Sequence, residues 1–435
     1  MGLLERKSAS VEARLSSLED ELDYWKKLSE PNASFEKNHT QIGRITEVLK
    51  GALNERLKAT GQREREEGVL TVHALWDFFR SKLALRCEPL FERYLRAADD
   101  FAWACYEPLR SLLPPGERRE PPLVFLNGGW SPYTAARGVS FRVEKGAGQW
   151  LVKYPFQDAV EKLPVPMIGV PWYQVAHLPD GLVIAHEMGH VIETELGFGG
   201  AIEQAVYAAK INPARGDTWL GWKAEAFADV FGCVAAGAAF ARSLVDFLAT
   251  EVSAPGGGDT PEGDPHPPAT LRVRLLARTL CRIGFETDGK SLESDWKEAF
   301  PSLSIAPELS KDAEAMVDSL LEQTYRVGEH NETLTNLLPP SKQEDVAAVA
   351  TDIKNESKTY FADRNLHRRE VWASARLLFE EDEKTYRDSN LADRVLAKIE
   401  SAREKGVRGS TDDELKTLQP RDLAAGVALA TALFG

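Results

Sequence analysis

His186-Glu187-Met188-Gly189-His190 places two imidazoles and a carboxylate within little more than one helical turn. Residues four apart on an α-helix share a face, so both histidines can grip one ion while Glu187 points at the water beside it. That is the spacing of a zinc-binding, water-activating device; two ordinary histidines on a buried helix are the alternative. A second pair follows at the same spacing, Glu225 and Asp229, in the run Trp222-Lys223-Ala224-Glu225-Ala226-Phe227-Ala228-Asp229-Val230-Phe231. Two acids on so apolar a helix are costly to bury unpaired, whereas a metal and a histidine N–H would satisfy both. A solvated acidic face would be flanked by Lys and Glu instead.

A third segment, Asp264-Pro265-His266-Pro267-Pro268-Ala269-Thr270-Leu271-Arg272, sets an arginine six residues after a His-Pro pair. Together the three motifs resemble those of the gluzincin metallopeptidases, and within them the branch that holds the CAAX prenyl proteases and the membrane heat-shock proteases. The resemblance covers residues 165–280 or so. It implies Zn2+ held by His186, His190 and Glu225, with a fourth tetrahedral position open for chemistry. It further implies Glu187 as general base, Asp229 orienting the imidazole of His186, and His266 or Arg272, or both, stabilising an oxyanion. A His-Pro turn and an arginine that simply brace the second ligand helix are the alternative for the last two. Members of that branch are usually built around membrane-spanning helices. Here the longest uncharged stretches, Val230–Ala241 and Leu423–Gly435, run only 12 and 13 residues, so no membrane span is expected and prenylated substrates are not carried over.

Composition bounds the partners. The 435 residues are 43% hydrophobic and 28% charged, enough for a sizeable core. A net charge of -14 argues against nucleic acid or an anionic membrane surface as the main partner. Cys87, Cys105, Cys233 and Cys281 form no CxxC pair and read as reduced structural thiols. Met1-Gly2-Leu3-Leu4-Glu5-Arg6-Lys7 lacks an apolar signal core, so a cytoplasmic location is expected.

The elements that must position these residues read as an α+β chain, mostly helical. It divides into a helical N-terminal region (1–112), a zincin-like core with a small sheet and the HExxH helix (113–285), and a helical C-terminal region (286–435). Val11, Leu15, Leu18, Leu22 and Trp25 form a heptad seam, either a helical hairpin or an arm for a protein partner or self-association. Leu123–Leu126, Val139–Val143, Trp150–Lys153 and Met167–Val170 read as short strands before the HExxH helix. Pro179-Asp180 offers that helix an N-cap and Gly197 a stop, and Asp217 can cap the second ligand helix. Residues 199–216 read as loop and short helix over the cleft, 253–268 as a long loop delivering His266, and Ser341-Lys342-Gln343-Glu344 as a capping box.

The resemblance further implies that a peptide substrate lies along a sheet edge, adding itself as an extra strand. The segment Met167–Trp172 has that character, with Gly169, Val170 and Trp172 as substrate-binding residues; an ordinary core strand is the alternative. The sequence therefore points to a zinc-dependent endopeptidase acting on a protein or peptide. A regulatory or binding protein on a protease fold, or a zinc hydrolase of another amide or ester, are the alternatives.

Overall fold

The computed structural model describes residues 2–31, 33–58, 61–135, 164–254, 265–355, 368–403 and 406–434. The chain is mostly helical with two small sheets. It opens with α1 (Leu3–Leu28), α2 (His39–Leu57), α3 (Gln62–Ala84) and α4 (Pro89–Arg110). Strands β1 (Leu123–Asn127), β2 (Tyr133–Ala135) and β3 (Met167–Pro171) lead to α5 (Ile184–Leu196), α6 (Gly199–Ala208) and α7 (Pro213–Ser253). Then come α8 (Ala269–Arg282), α9 (Glu286–Ala299) and α10 (Pro307–Glu322), and the hairpin β4 (Thr324–Val327) and β5 (His330–Thr333). The described chain ends with α11 (Leu334–Leu337), α12 (Gln343–Lys354), α13 (Arg368–Glu381), α14 (Glu383–Asp388), α15 (Leu391–Ser401) and α16 (Asp412–Phe434). The expected strands Val139–Val143 and Trp150–Lys153 lie outside the described residues.

Alternation along the strands divides the apolar side chains between two cores. Leu123, Phe125 and Met167 join a cluster built by α1, α2 and α3, while Val124, Leu126, Ile168 and Val170 join the larger cluster around α4, α5, α7, α8 and α13. Successive side chains of a strand point to opposite faces, so one small sheet is covered on both. The heptad seam is consumed in the smaller cluster: Val11, Leu18 and Leu22 are at most 2% exposed, and Trp25 meets Phe35 and Trp76 edge-on at 5.3 and 5.9 Å. This corrects the reading of the seam as an arm for self-association, because the chain's own α2 and α3 occupy that face.

β3 is the central strand. It runs parallel to β1 (Leu123↔Met167 through Asn127↔Pro171) and antiparallel to β2 (Tyr133↔Gly169, Ala135↔Met167). The expectation of an edge strand at Met167–Trp172 is therefore corrected; Pro171 is tolerated because it stands at the last position of the ladder. β2, three residues long, is the strand on the side of α5.

α5 is entered through a 3-10 turn over Leu178–Val183 and has no side-chain cap, so Pro179-Asp180 belongs to that turn rather than capping the helix. Gly197 ends it in the left-handed conformation (φ 71°), as expected. α7 starts earlier than expected: Asn212 caps it by accepting from the Ala214 N–H at 2.9 Å, and Asp217 lies inside its second turn. Its 41 residues are interrupted at Gly237 (φ 60°, ψ -144°), a conformation that side-chain-bearing residues adopt only under strain. The break frees the Ala235 carbonyl, which Ser341 Oγ and Arg369 Nη1 approach at 3.0 and 3.2 Å. Ser341 is thereby drawn away from the expected capping box, and α12 begins at Gln343 with Lys342 at its N-cap position and no side-chain cap. Among the described helices only α7 is long and apolar enough to cross a membrane, and 72% of that stretch is buried inside the protein.

Candidate metal centre

α5 and α7 carry the expected ligands, and Gly189 lets the two helices close. A Cβ at that position would lie 2.6 Å from the Ala228 Cα, so the residue just before His190 in the HExxH turn is bare where α7 passes. That approach sets His186 and His190 opposite Glu225 and Asp229.

The three expected ligands converge. His186 Nε2 lies 3.2 Å from Glu225 Oε2, His190 Nε2 lies 3.2 Å from Glu225 Oε1, and the two imidazole Nε2 atoms are 3.2 Å apart. Donors ~2.1 Å from one tetrahedral ion stand ~3.4 Å from each other, so these separations fit a single ion among them. The ring orientation agrees: His186 Nδ1 is 2.9 Å from Asp229 Oδ1, which can only accept, so a proton sits on Nδ1 and Nε2 is the nitrogen turned toward the other donors. Glu225 Oε2 is buried and takes no hydrogen bond despite its short distance to His186. Orphaned acceptors of this kind are what a cation would satisfy.

Electrostatics points the same way. Burial works against a charged His186, but its contacts with Asp229 and Glu225 outweigh that and push its pKa up to about 10. Burial would also raise the Glu225 and Asp229 carboxyls. Instead the contacts with His186 and His190 hold Glu225 well below the usual carboxylate range, and the charge of Arg272 does the same for Asp229. The carboxylates of Asp229 and Glu225 thus draw positive charge to the site from Arg272 and from a proton on His186, and a cation bound there would take that proton's place.

Arg272 reaches in from α8 and spends its fork on Asp229, Nε to Oδ2 at 2.9 Å and Nη2 to Oδ1 at 2.7 Å. It is 5% exposed. His266 stands at the mouth, half-exposed, with Nε2 3.6 Å from Glu225 Oε1. Glu187, 6% exposed, accepts from the Thr134 hydroxyl at 2.7 Å.

These residues line a cavity of about 380 Å3 whose apolar wall is Val183, Leu244 and Phe247 and whose strand side is Ser131–Thr134. Gly169, Val170 and Trp172, expected at the substrate, are not among its lining. Gly169 is wedged between Tyr133 and Asn127, with 2.7 and 2.8 Å left for any Cβ; Val170 is fully buried; and the Trp172 ring stacks edge-on against Phe91 at 4.8 Å. Sequence reasoning missed Thr134, Leu244 and Phe247. The last two recur at helical spacing on the far arm of α7, a signal shared with any buried helix.

No family model, curated protein or solved structure matches the chain.

Proposed function

We propose that this chain is a zinc-dependent endopeptidase, with His186, His190 and Glu225 as metal ligands and Glu187 as general base. The observation that carries the reading is the convergence of three donor groups, the two imidazole Nε2 atoms 3.2 Å apart and each 3.2 Å from one oxygen of the Glu225 carboxylate, with the buried Glu187 on the histidines' own helix. Zinc in such a site supplies a Lewis acid and lowers the pKa of water to about 7. Glu187 takes the proton of the attacking water and hands it to the leaving amine. Asp229 holds the His186 ring in the tautomer that leaves Nε2 available, and Arg272 holds Asp229. Because the Arg272 fork is committed there, His266 at the mouth is the better placed group for the developing oxyanion. An extended peptide reaches these groups along β2, whose residues line the cavity, and the wall of Val183, Leu244 and Phe247 takes an apolar side chain.

Metal analysis of the purified chain, followed by cleavage of a mixed peptide library, tests the reading. One zinc per chain is expected, with cleavage at defined bonds. Glu187→Gln should keep the metal and lose hydrolysis by about 100-fold or more. A chain that takes up no zinc, or a zinc-loaded chain that cleaves no peptide, would overturn it.

A further inference from the structure

We propose that Thr134 is a positioning residue for Glu187: its hydroxyl, presented from the cleft-side strand, fixes one carboxylate oxygen and leaves the other to exchange the proton. This rests on the reading of Glu187 as the base. The Thr134 Oγ1 lies 2.7 Å from Glu187 Oε2 and 3.1 Å from the Glu187 backbone carbonyl. A hydroxyl has one proton to give, and the nearer acceptor, the carboxylate oxygen at 2.7 Å rather than the carbonyl at 3.1 Å, receives it.

The sheet explains why this side chain arrives there. β2 pairs with β3 so that Thr134 stands opposite Ile168, whose side chain belongs to the larger core beside α5. Its neighbours alternate to the other face: the Tyr133 ring meets Phe125 edge-on at 5.9 Å, and Ala135 packs on the smaller core. A valine would suit a strand equally well and fill the same volume, but would leave a buried carboxylate without its donor. The consequence is a direct line from substrate to base. A peptide laid along β2 touches the strand whose next contact is Glu187, so the main chain that binds the substrate also sets the carboxylate.

The test uses the full zinc-loaded chain and the variants Thr134→Val, Thr134→Ala and Thr134→Ser, each checked for zinc content and circular dichroism. The first readout is the affinity for acetohydroxamate, a small chelator whose N–OH proton passes to the neighbouring carboxylate on binding, which needs no turnover. The second is kcat and KM on a quenched fluorescent peptide. Loss of the hydroxyl should weaken acetohydroxamate about tenfold or more and lower kcat about ten- to 100-fold, with KM within about twofold. Serine should restore both to within about threefold. Unchanged acetohydroxamate binding and kcat in Val and Ala overturns the proposal, as does a serine variant as impaired as valine, which would mark a packing role. Thr134-dependent acetohydroxamate binding by a wild-type chain that cleaves no peptide would uphold Thr134 and sink the peptidase reading instead.

Discussion

Asp229 serves two partners from one buried carboxylate, accepting from His186 Nδ1 with Oδ1 and from Arg272 with both oxygens. Asp229→Asn keeps the volume but removes the charge that stabilises the ligand imidazole, so zinc affinity should fall about 10–100-fold in a chelator competition while the fold persists. Unaltered affinity would make Asp229 a bystander. Arg272→Gln leaves that carboxylate without its counter-charge, and breaking a buried pair costs about 3–5 kcal/mol, to be read as a lower melting midpoint. An unchanged midpoint would contradict the bracing role. Five residues of the cluster, His186, Glu187, His190, Glu225 and Asp229, were legible because spacing on a helix fixes which side chains share a face, whatever else the chain does; Arg272 was singled out only through the resemblance, with an oxyanion or a bracing role left open. Thr134 was not. Three residues of strand give no alternation to read, and its meaning depends on which strand it lies beside.

The two ligand helices meet because of a position that bears no ligand. Gly189→Ala would put a methyl 2.6 Å from the α7 backbone, and forcing a carbon into a closed contact of this sort costs about 1–3 kcal/mol. The prediction is a coupled loss: a lower melting midpoint and weaker zinc binding together, since prising α5 from α7 moves Glu225 away from both imidazoles. Normal zinc affinity at a normal midpoint would show that the helices adjust freely. At this scale the sequence misled in instructive ways. Met167–Trp172 carried the right residues for a strand, but central and edge positions differ only in the neighbours, and the neighbour β2 was too short to announce itself. The start of α7 was missed because Asp217 and Asn212 are both good caps, and Pro213 just after Asn212 decides between them.

Across the whole molecule, the helices that precede the candidate site turn out to be a wall of the sheet. α1, α2 and α3 cover the face of Leu123, Phe125 and Met167, and α16 closes on α2 with the Arg44 guanidinium donating to Asp422 Oδ1 at 2.7 Å, both residues 4% exposed. Deleting residues 2–58 should therefore expose the rear of β1 and β3 and destabilise the chain, and deleting residues 407–434 should have a similar effect although the two segments lie at opposite ends of the sequence. Limited proteolysis and thermal melts of both truncations check this. A stable, zinc-competent chain lacking α1 and α2 would restore the idea of a detachable regulatory arm. That these flanks are helical was readable from their periodicity; which helix closes on which was not, because pairing across several hundred residues leaves no local trace.

The Arg44–Asp422 bond also has a temporal meaning. On the ribosome α2 is complete once residue 57 emerges, yet its covering helix begins only at residue 412. At ~5–20 residues per second that interval is on the order of twenty to seventy seconds. Throughout it the side of α2 destined for α16 waits uncovered, so nascent chains have a long window in which a chaperone, or a neighbouring nascent chain, competes for the place of the last helix.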